Sequence, residues 1–234
     1  MSEPLLRFVE ETTTVEVFDL DDCPPDPTLL PPEDIARFQS FKNDDAADAY
    51  IRRQSELRRR LAVHCDRRPD ELRIETEPNG KPFLVDANGA ATGPHFNMSS
   101  SARLMALAVD AEQAIGVDIE CHGLHPNLVA SDLTPALHPL ELQRLAANRL
   151  DDILQCWVFK EAWIKWTGEG MRADLKSLEL WRPDLPERFV HDGLSLRLTR
   201  IPPVAAGGAV PAEGLAWVGL ARLPEPDPRA TPGG

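Results

Sequence analysis

Two carboxylates stand two residues apart in the segment Ile115-Gly116-Val117-Asp118-Ile119-Glu120. In an extended chain successive side chains alternate, so Ile115, Val117 and Ile119 share one face while Gly116, Asp118 and Glu120 share the other. Like charges that close raise each other's pKa unless a cation neutralises them. Hard oxygen ligands of this kind suit Mg²⁺, with Mn²⁺ as an alternative; Mg²⁺ takes one or two carboxylates and completes its octahedron with water and phosphate oxygens. Gly116 leaves room for another backbone or a ligand to come close. A plainer reading also fits this strand by itself, because acids on the wet side of an edge strand need no metal.

A third carboxylate and two lysines lie in Trp157-Val158-Phe159-Lys160-Glu161-Ala162-Trp163-Ile164-Lys165. At 3.6 residues per turn, Leu154, Trp157, Val158, Glu161, Ala162 and Lys165 form one stripe, with Lys160 at its edge. Glu161 and Lys165 thus fall one turn apart within an apolar face. A surface pair at this spacing contributes only a few tenths of a kcal/mol, and a structural buried ion pair is the competing interpretation. Burying a carboxylate costs several kcal/mol unless something pairs with it. Three acids and two lysines in two short segments read together as a site for a metal ion and phosphate.

The elements that must position these groups follow from periodicity and turn signals. Val15–Leu20 reads as a strand, Glu33–Phe41 as a short helix and Asp44–His64 as a long one. Leu72–Thr76 reads as a strand, 78–82 as a turn, and Phe83–Val85 and His95–Met98 as short extended pieces. Arg103–Val109, a turn at Asp110–Gln113 and Ala114–Glu120 read as a hairpin. A helical stretch centred on Leu137–Ala147 follows, then a helix over Asp151–Thr167 that Gly168 and Gly170 end. Lys176–Trp181, Leu194–Thr199 and Leu215–Leu223 read as strands, Arg200–Gly214 as a loop and Pro224–Gly234 as a tail. Strands and helices do not alternate strictly, so the class is α+β. The order of elements suggests two halves, residues 1–113 and 114–223, each with strands and one dominant helix, before the tail at 224–234.

Composition narrows the function. The chain has 234 residues, 42% of them hydrophobic, enough for a substantial core. No stretch approaches the roughly 18 apolar residues of a membrane span. The N-terminal MSEPLLRFVEE has no basic segment followed by an apolar one, and the four cysteines are scattered; a cytoplasmic protein with free thiols is expected. A net charge of −13 argues against broad binding to nucleic acid or an anionic membrane. Positive charge is nevertheless clustered in Arg52, Arg53, Arg58, Arg59 and Arg60. Most of these fit a solvated helix face, but Arg58 falls in the apolar arc of Tyr50, Ile51, Leu57, Leu61 and Ala62.

Gly116–Glu120 and Trp157–Lys165 together resemble the paired motifs of the 4′-phosphopantetheinyl transferase superfamily, G-[IV]-D-x-E followed by W-x-x-K-E-A-x-x-K. Upstream, Asn79-Gly80-Lys81-Pro82 resembles the family's G-K-P turn, and His95-Phe96-Asn97-Met98-Ser99-Ser100-Ser101 its F-N-[ILV]-S-H-S segment. Leu57-Arg58 stands where the family has a helix-borne arginine. The similarity spans roughly residues 38 to 180 and is closest to the Sfp-like branch, whose members are monomers built of two similar halves. It implies a pseudo-duplicated fold, each half a small antiparallel sheet packed on a long helix.

The resemblance also implies a reaction: transfer of the phosphopantetheine arm of coenzyme A to a serine of an acyl or peptidyl carrier protein, with release of adenosine 3′,5′-bisphosphate. Under it, Asp118, Glu120 and Glu161 hold Mg²⁺, and Glu161 and Lys165 are the catalytic pair, Glu161 taking the serine proton. Lys160 and Lys165 contact phosphates, Arg58 the 3′-phosphate, Lys81 and Pro82 the adenine side, Ser99 and Ser100 the phosphate region, and Lys42 a further phosphate. Ser100 departs from the family pattern, which has histidine there; serine keeps a donor but loses a charge, which lowers the expected affinity for coenzyme A, with Arg103 or His95 as compensating candidates. The carrier surface is expected around Arg52–Arg60 or in Leu124–Leu150. A non-catalytic homologue that binds coenzyme A or a carrier, and a Mg²⁺-dependent phosphohydrolase, remain as alternatives.

Overall fold

A computed structural model describes residues 2–121, 130–145, 150–170, 173–181, 186–191, 193–202 and 216–224. Two four-stranded antiparallel sheets lie face to face, each covered on its outer side by one long helix. The first sheet has the order β1 (Leu6–Glu10), β2 (Thr13–Asp19), β7 (Leu104–Asp110), β6 (His95–Ser101). The second has the order β8 (Ile115–Cys121), β11 (Ala216–Arg222), β10 (Leu194–Arg200), β9 (Arg188–His191). The two sheets share a three-strand core, a strand before the long helix and two after it with the last beside the first (β2, β6, β7 and β8, β10, β11); β1 extends the first sheet beside β2, and β9 the second beside β10. A small sheet of β3 (Arg73–Thr76), β4 (Pro82–Val85) and β5 (Ala91–Thr92) lies beyond the first long helix.

Side-chain alternation builds the layers. Val15, Val17, Leu104 and Ala106 of the first sheet meet Ile115, Val117, Ile119 and Val218 of the second, all fully buried between them. The opposite face of the first sheet, with Phe18, Met105 and Leu107, takes Leu57 and Leu61 of helix α2 (Asp44–Cys65). Asn43 caps α2 by accepting from the Ala46 N–H at 2.9 Å. The short α1 (Pro32–Ser40) precedes it. After α3 (Ala130–Leu133) and α4 (Pro139–Arg144), helix α5 (Leu150–Thr167) covers the second sheet through Leu154, Val158 and Ala162.

Helix α5 sits unusually close to the sheet because Gly116 and Gly219 lie under it. A Cβ on Gly116 would fall 2.0 Å from the Ala162 carbonyl oxygen and 2.4 Å from the Trp166 nitrogen. The glycine ahead of the two acids thus admits a backbone, and that backbone is the helix bearing Glu161 and Lys165. Trp217 of β11 fixes the other end of the helix, donating its indole N–H to Asp151 at 2.6 Å.

Two expected elements are organised differently. The segments 103–109 and 114–120 are strands joined by a turn, but they do not pair as a hairpin: β7 is flanked by β2 and β6, so both of its edges are taken, and β8 pairs with β11 in the other sheet. Lys176–Trp181 is no strand; a 3₁₀ turn covers Leu175–Ser177 and the rest is irregular. Its backbone groups are satisfied by buried side chains instead of a neighbouring strand, as the site makes clear. The sequence pattern also missed β1 and β9, both at sheet edges. The expected helix Leu137–Ala147 is α4 with shorter bounds. Much of the 200–214 loop, part of Leu124–Leu150 and nearly all of the 224–234 tail lie outside the described residues.

Candidate active site

The edge strands β6 and β8 of the two sheets run side by side, and polar side chains join them where a backbone ladder is lacking. Asn97 Oδ1 accepts from the Val117 N–H at 3.0 Å, and Ser101 Oγ accepts from the Cys121 N–H at 3.1 Å. Between them Ser99 Oγ donates to Asp118 Oδ1 at 2.8 Å, and Ser101 Oγ donates to Glu120 Oε2 at 2.8 Å. The alternation Asn97-x-Ser99-x-Ser101 is what brings these three onto the side of β6 that meets β8.

Lys165 completes the arrangement from α5. Its Nζ donates to Asp118 Oδ1 and to Ser99 Oγ, each at 2.7 Å. Asp118 is 3% exposed, and its other oxygen, Oδ2, is buried with no hydrogen-bond partner. Glu161 does not form the i,i+4 pair with Lys165; the ion pair of Lys165 is with Asp118. The helix stripe therefore divides in two. Leu154, Val158 and Ala162 face the sheet, while Trp157, Glu161, Ile164, Lys165 and Gly168 line a cavity of about 650 Å³.

That cavity is closed on its other side by the β3–β4 turn. Asn79 donates to the Gly168 carbonyl at 2.7 Å, and Lys81 Nζ to the Trp166 carbonyl at 3.3 Å. Gly80 supplies the turn with φ of 93°. The Asn-Gly-Lys-Pro turn is thus fastened to the C-terminal end of α5, and Lys81 and Pro82 line the cavity beside Met98. Burial pulls the Lys81 ammonium below its ordinary pKa.

The electrostatics of the acids are those of an incompletely neutralised cluster. Burial, with the Asp118 and Glu120 charges added, pushes Glu161 up to about 7, against the pull of Lys165. Burial and then Asp118 raise Glu120, opposed by hydrogen bonds from Ser101 and Trp157 and by Lys165. One ammonium serves three carboxylates, and a buried carboxylate oxygen has no donor, so the donor set has capacity for a further cation. Among the described residues no group of three His, Cys, Asp or Glu is placed to hold a metal ion by itself. A hard ion that takes one or two carboxylates and completes its shell with water and phosphate would need no such group.

Asp118, Glu120, Glu161, Lys165 and Ser99 are therefore brought together, with Lys81 and Pro82 on the same cavity. Four expected contributors stand elsewhere. Lys160 is fully buried, its ammonium held by the Leu175 and Leu178 carbonyls at 2.7 and 2.6 Å and by Glu141 at 2.8 Å. Arg58, 2% exposed, donates to the Leu72 carbonyl at 2.8 Å, pairs with Asp34 at 3.3 Å and borders a different cavity. Lys42 is exposed in the link between α1 and α2. Ser100 points to the opposite side of β6 from Ser99 and accepts from Arg53 at 3.2 Å.

Glu141 escaped the sequence reading although it organises one wall of the cavity. Fully buried, it accepts from the N–H groups of His138, Leu180 and Trp181 and pairs with Lys160. Together Glu141 and Lys160 satisfy the backbone of 175–181, which explains why that segment needs no partner strand. A glutamate one turn into a short helix carries no mark of this role; the misplaced charge of Lys160 on a buried helix was the available signal. Asp132, Asp174 and Lys176, further cavity-lining residues, lie in stretches without a motif.

Residues 114–198, spanning β8, α5 and the first strands after it, match the profile of the 4′-phosphopantetheinyl transferase superfamily. A putative 4′-phosphopantetheinyl transferase of Synechocystis is 28% identical over 167 residues, 67% of each chain. The 4′-phosphopantetheinyl transferase HetI of Nostoc is 27% identical over 194 residues, 80% of each chain. All three similarities are to 4′-phosphopantetheinyl transferases. The matched region holds Asp118, Glu120, Glu161 and Lys165, while Ser99 and the Lys81 turn come from the other half of the chain. No helix among the described residues is long and apolar enough to cross a membrane.

Proposed function

We propose that this protein transfers the 4′-phosphopantetheine arm of coenzyme A to a serine of an apo acyl or peptidyl carrier protein and releases adenosine 3′,5′-bisphosphate. The observation that carries the proposal is the Lys165–Asp118 pair, whose second carboxylate oxygen is buried without a donor, set beside a cavity that also holds Glu161 and Lys81. Asp118, Glu120 and Glu161 would hold Mg²⁺ there, and the bound ion supplies charge neutralisation on the diphosphate.

The chain's own residues account for the remaining work. Lys165 presents an ammonium to phosphate oxygens, and its hydrogen bonds to Ser99 and Asp118 hold it in one orientation before substrate arrives. Glu161 faces the cavity with no hydrogen-bond partner among the described residues, which leaves its carboxylate available to take the proton of the carrier serine, directly or through water. A serine O–P bond forms at the β-phosphorus, the P–O–P bond breaks, and the bisphosphate carries the electron pair away. Lys81 and Pro82, which also line the cavity, would bracket the adenine end.

The three-strand core that the two sheets share around their long helices supports a pseudo-duplicated fold. On this reading the enzyme acts as a monomer in the cytoplasm. The deciding experiment is to incubate the protein with Mg²⁺, coenzyme A and an apo carrier protein and to weigh the carrier. Gain of a phosphopantetheine arm is expected. Bisphosphate release with an unmodified carrier would instead establish a phosphohydrolase, and binding with neither product a non-catalytic homologue.

A further inference from the structure

The small sheet is buried at its base and exposed at its tip. Leu84 and Val85 of β4 are buried, and Leu84 shares a core cluster with Leu57 and Leu61 of α2. From there the β3–β4 hairpin runs out to Glu77–Lys81, where every residue but the half-buried Lys81 is exposed. The tip shapes itself: the Gly80 N–H donates to the Glu77 carbonyl at 2.8 Å, and the Lys81 N–H to Asn79 Oδ1 at 3.0 Å. One end of the Asn79 amide thus builds the turn. The other end reaches out of it, Nδ2 donating to the Gly168 carbonyl at 2.7 Å as well as to Glu77 Oε2 at 3.0 Å.

Gly168 stands 89 positions away, just beyond the end of α5. A second bond joins the same two elements, from Lys81 Nζ to the Trp166 carbonyl at 3.3 Å, where a cation suits the negative end of the helix dipole. The hairpin tip is therefore clasped to the helix that bears Glu161 and Lys165. The clasp is closely fitted, since a Cβ on Gly168 would lie 2.9 Å from Asn79 Nδ2. Lys81 and Pro82 of the tip and Ile164, Lys165 and Gly168 at the helix end line one cavity. A ligand lying between them touches both elements, so it binds the clasped form better than the open one, and it shifts the balance by that difference in affinity. An exposed neutral hydrogen bond is weak by itself. Such a clasp opens for entry and is reinforced by what it encloses.

Resting on the transferase reading, we propose that Asn79 is a positioning residue for coenzyme A: through the Gly168 carbonyl it holds Lys81 and Pro82 against α5. Its effect falls on capture of the nucleotide end and not on the chemical step, because Asn79 contacts none of Asp118, Glu120, Glu161 or Lys165.

The test measures equilibrium binding of adenosine 3′,5′-bisphosphate, melting temperature and steady-state transfer for the full-length protein and for Asn79→Asp, Asn79→Ala, Gly168→Ala and the Asn79→Ala, Gly168→Ala double variant. Asn79→Asp keeps an acceptor for the Lys81 N–H and replaces the donor that faces the Gly168 carbonyl, so it separates clasping from turn building. Asn79→Asp and Asn79→Ala should each weaken bisphosphate binding about three- to tenfold, the scale of one neutral hydrogen bond. KM for coenzyme A should rise in step, with little change in kcat or in the melting temperature of the free protein. Gly168→Ala should also weaken binding, and the double variant should fall well short of the product of the two single effects, because a clasp already lost cannot be pushed apart again. Wild-type binding in Asn79→Asp overturns the proposal, leaving Asn79 a turn former. A lowered melting temperature with unchanged binding, a loss confined to kcat, or fully multiplicative single effects overturn it too. If wild type binds the bisphosphate but modifies no carrier, the transferase reading fails and the binding series still decides the clasp; a wild type that does not bind the bisphosphate overturns both.

Discussion

Lys165 and Asp118 share a single carboxylate oxygen: Nζ lies 2.7 Å from Oδ1, Ser99 donates to that same oxygen at 2.8 Å, and Oδ2 is buried with no donor. The asymmetry is informative. A structural ion pair of this burial is stable only when the remaining lone pairs are satisfied, and here one carboxylate oxygen is buried without a donor. The lysine orients Asp118 without saturating it, which is compatible with the proposed second cation.

Asp118→Asn separates these roles, because the amide oxygen can still accept from Ser99 and Lys165 while the open oxygen is replaced. Mg²⁺ at a hundredfold excess over its dissociation constant should stabilise wild type by about 2.7 kcal/mol, read as a rise in melting temperature. Asp118→Asn should show almost none of that rise, and its transfer rate should fall by two orders of magnitude or more. An undiminished Mg²⁺ effect in the variant would remove Asp118 from the metal set.

Glu161→Gln keeps the shape of the cavity wall and removes the proposed base. General-base catalysis contributes roughly 10² to 10⁴ in rate, so the phosphopantetheine transfer rate should fall within that range. Coenzyme A should still bind, because Lys165, Ser99 and Lys81 are untouched. Near-wild-type turnover would exclude Glu161 as the base.

The closeness of α5 to the second sheet makes Gly116 far more sensitive than Gly219. At Gly116 a methyl group would meet backbone atoms of Ala162 and Trp166 at 2.0 and 2.4 Å; at Gly219 the nearest atom is Val158 Cγ1 at 2.7 Å, which a side-chain adjustment can move. Overpacking costs about 1–3 kcal/mol, and more when backbone must shift. In urea melts Gly116→Ala should lose at least about 3 kcal/mol and Gly219→Ala about 1–2 kcal/mol. Because Gly116→Ala displaces the helix bearing Glu161 and Lys165, it should also lose activity under conditions where it remains folded. Equal costs at the two glycines would contradict the packing described.

The chemistry-bearing pattern was legible where local rules govern it. Strand alternation placed Asp118 and Glu120 on one face, and helical spacing put Glu161 and Lys165 on one stripe; both are properties of neighbouring residues and survive folding. What could not be read was how elements pair. Asp110–Gln113 is a turn in either arrangement, but whether β8 returns along β7 depends on β2 and β6, remote segments that occupy both edges of β7. Lys160 and Arg58 show the same limit at the level of a side chain. Each was correctly singled out as a charge among apolar residues, and each is used by the interior, Lys160 by Glu141 and Arg58 by Leu72 and Asp34. Ser100 was compared with a family pattern, yet its neighbour across the fold, Arg53, lies 47 positions away and only tertiary structure brings them together.

The Glu141–Lys160 pair gives a prediction that distinguishes a wall-building lysine from a phosphate-binding one. Both side chains are fully buried, and they share the backbone of 175–181. Removing one partner of such a pair costs about 3–5 kcal/mol, because the other charge stays buried without compensation, whereas removing both costs much less than the sum. Lys160→Met and Glu141→Gln should each lower the melting temperature by roughly 10 °C, given about 2–4 °C per kcal/mol for a chain of this size. The double variant should recover much of that loss, and this positive coupling is the signature of the pair. Activity follows from the same geometry: Asp174, Leu175 and Lys176 line the cavity and depend on this network, so the double variant should show a raised KM for coenzyme A with a smaller change in kcat. A direct phosphate contact would give the opposite result. Lys160→Met would then lose kcat with little loss of stability, and the double variant would recover nothing.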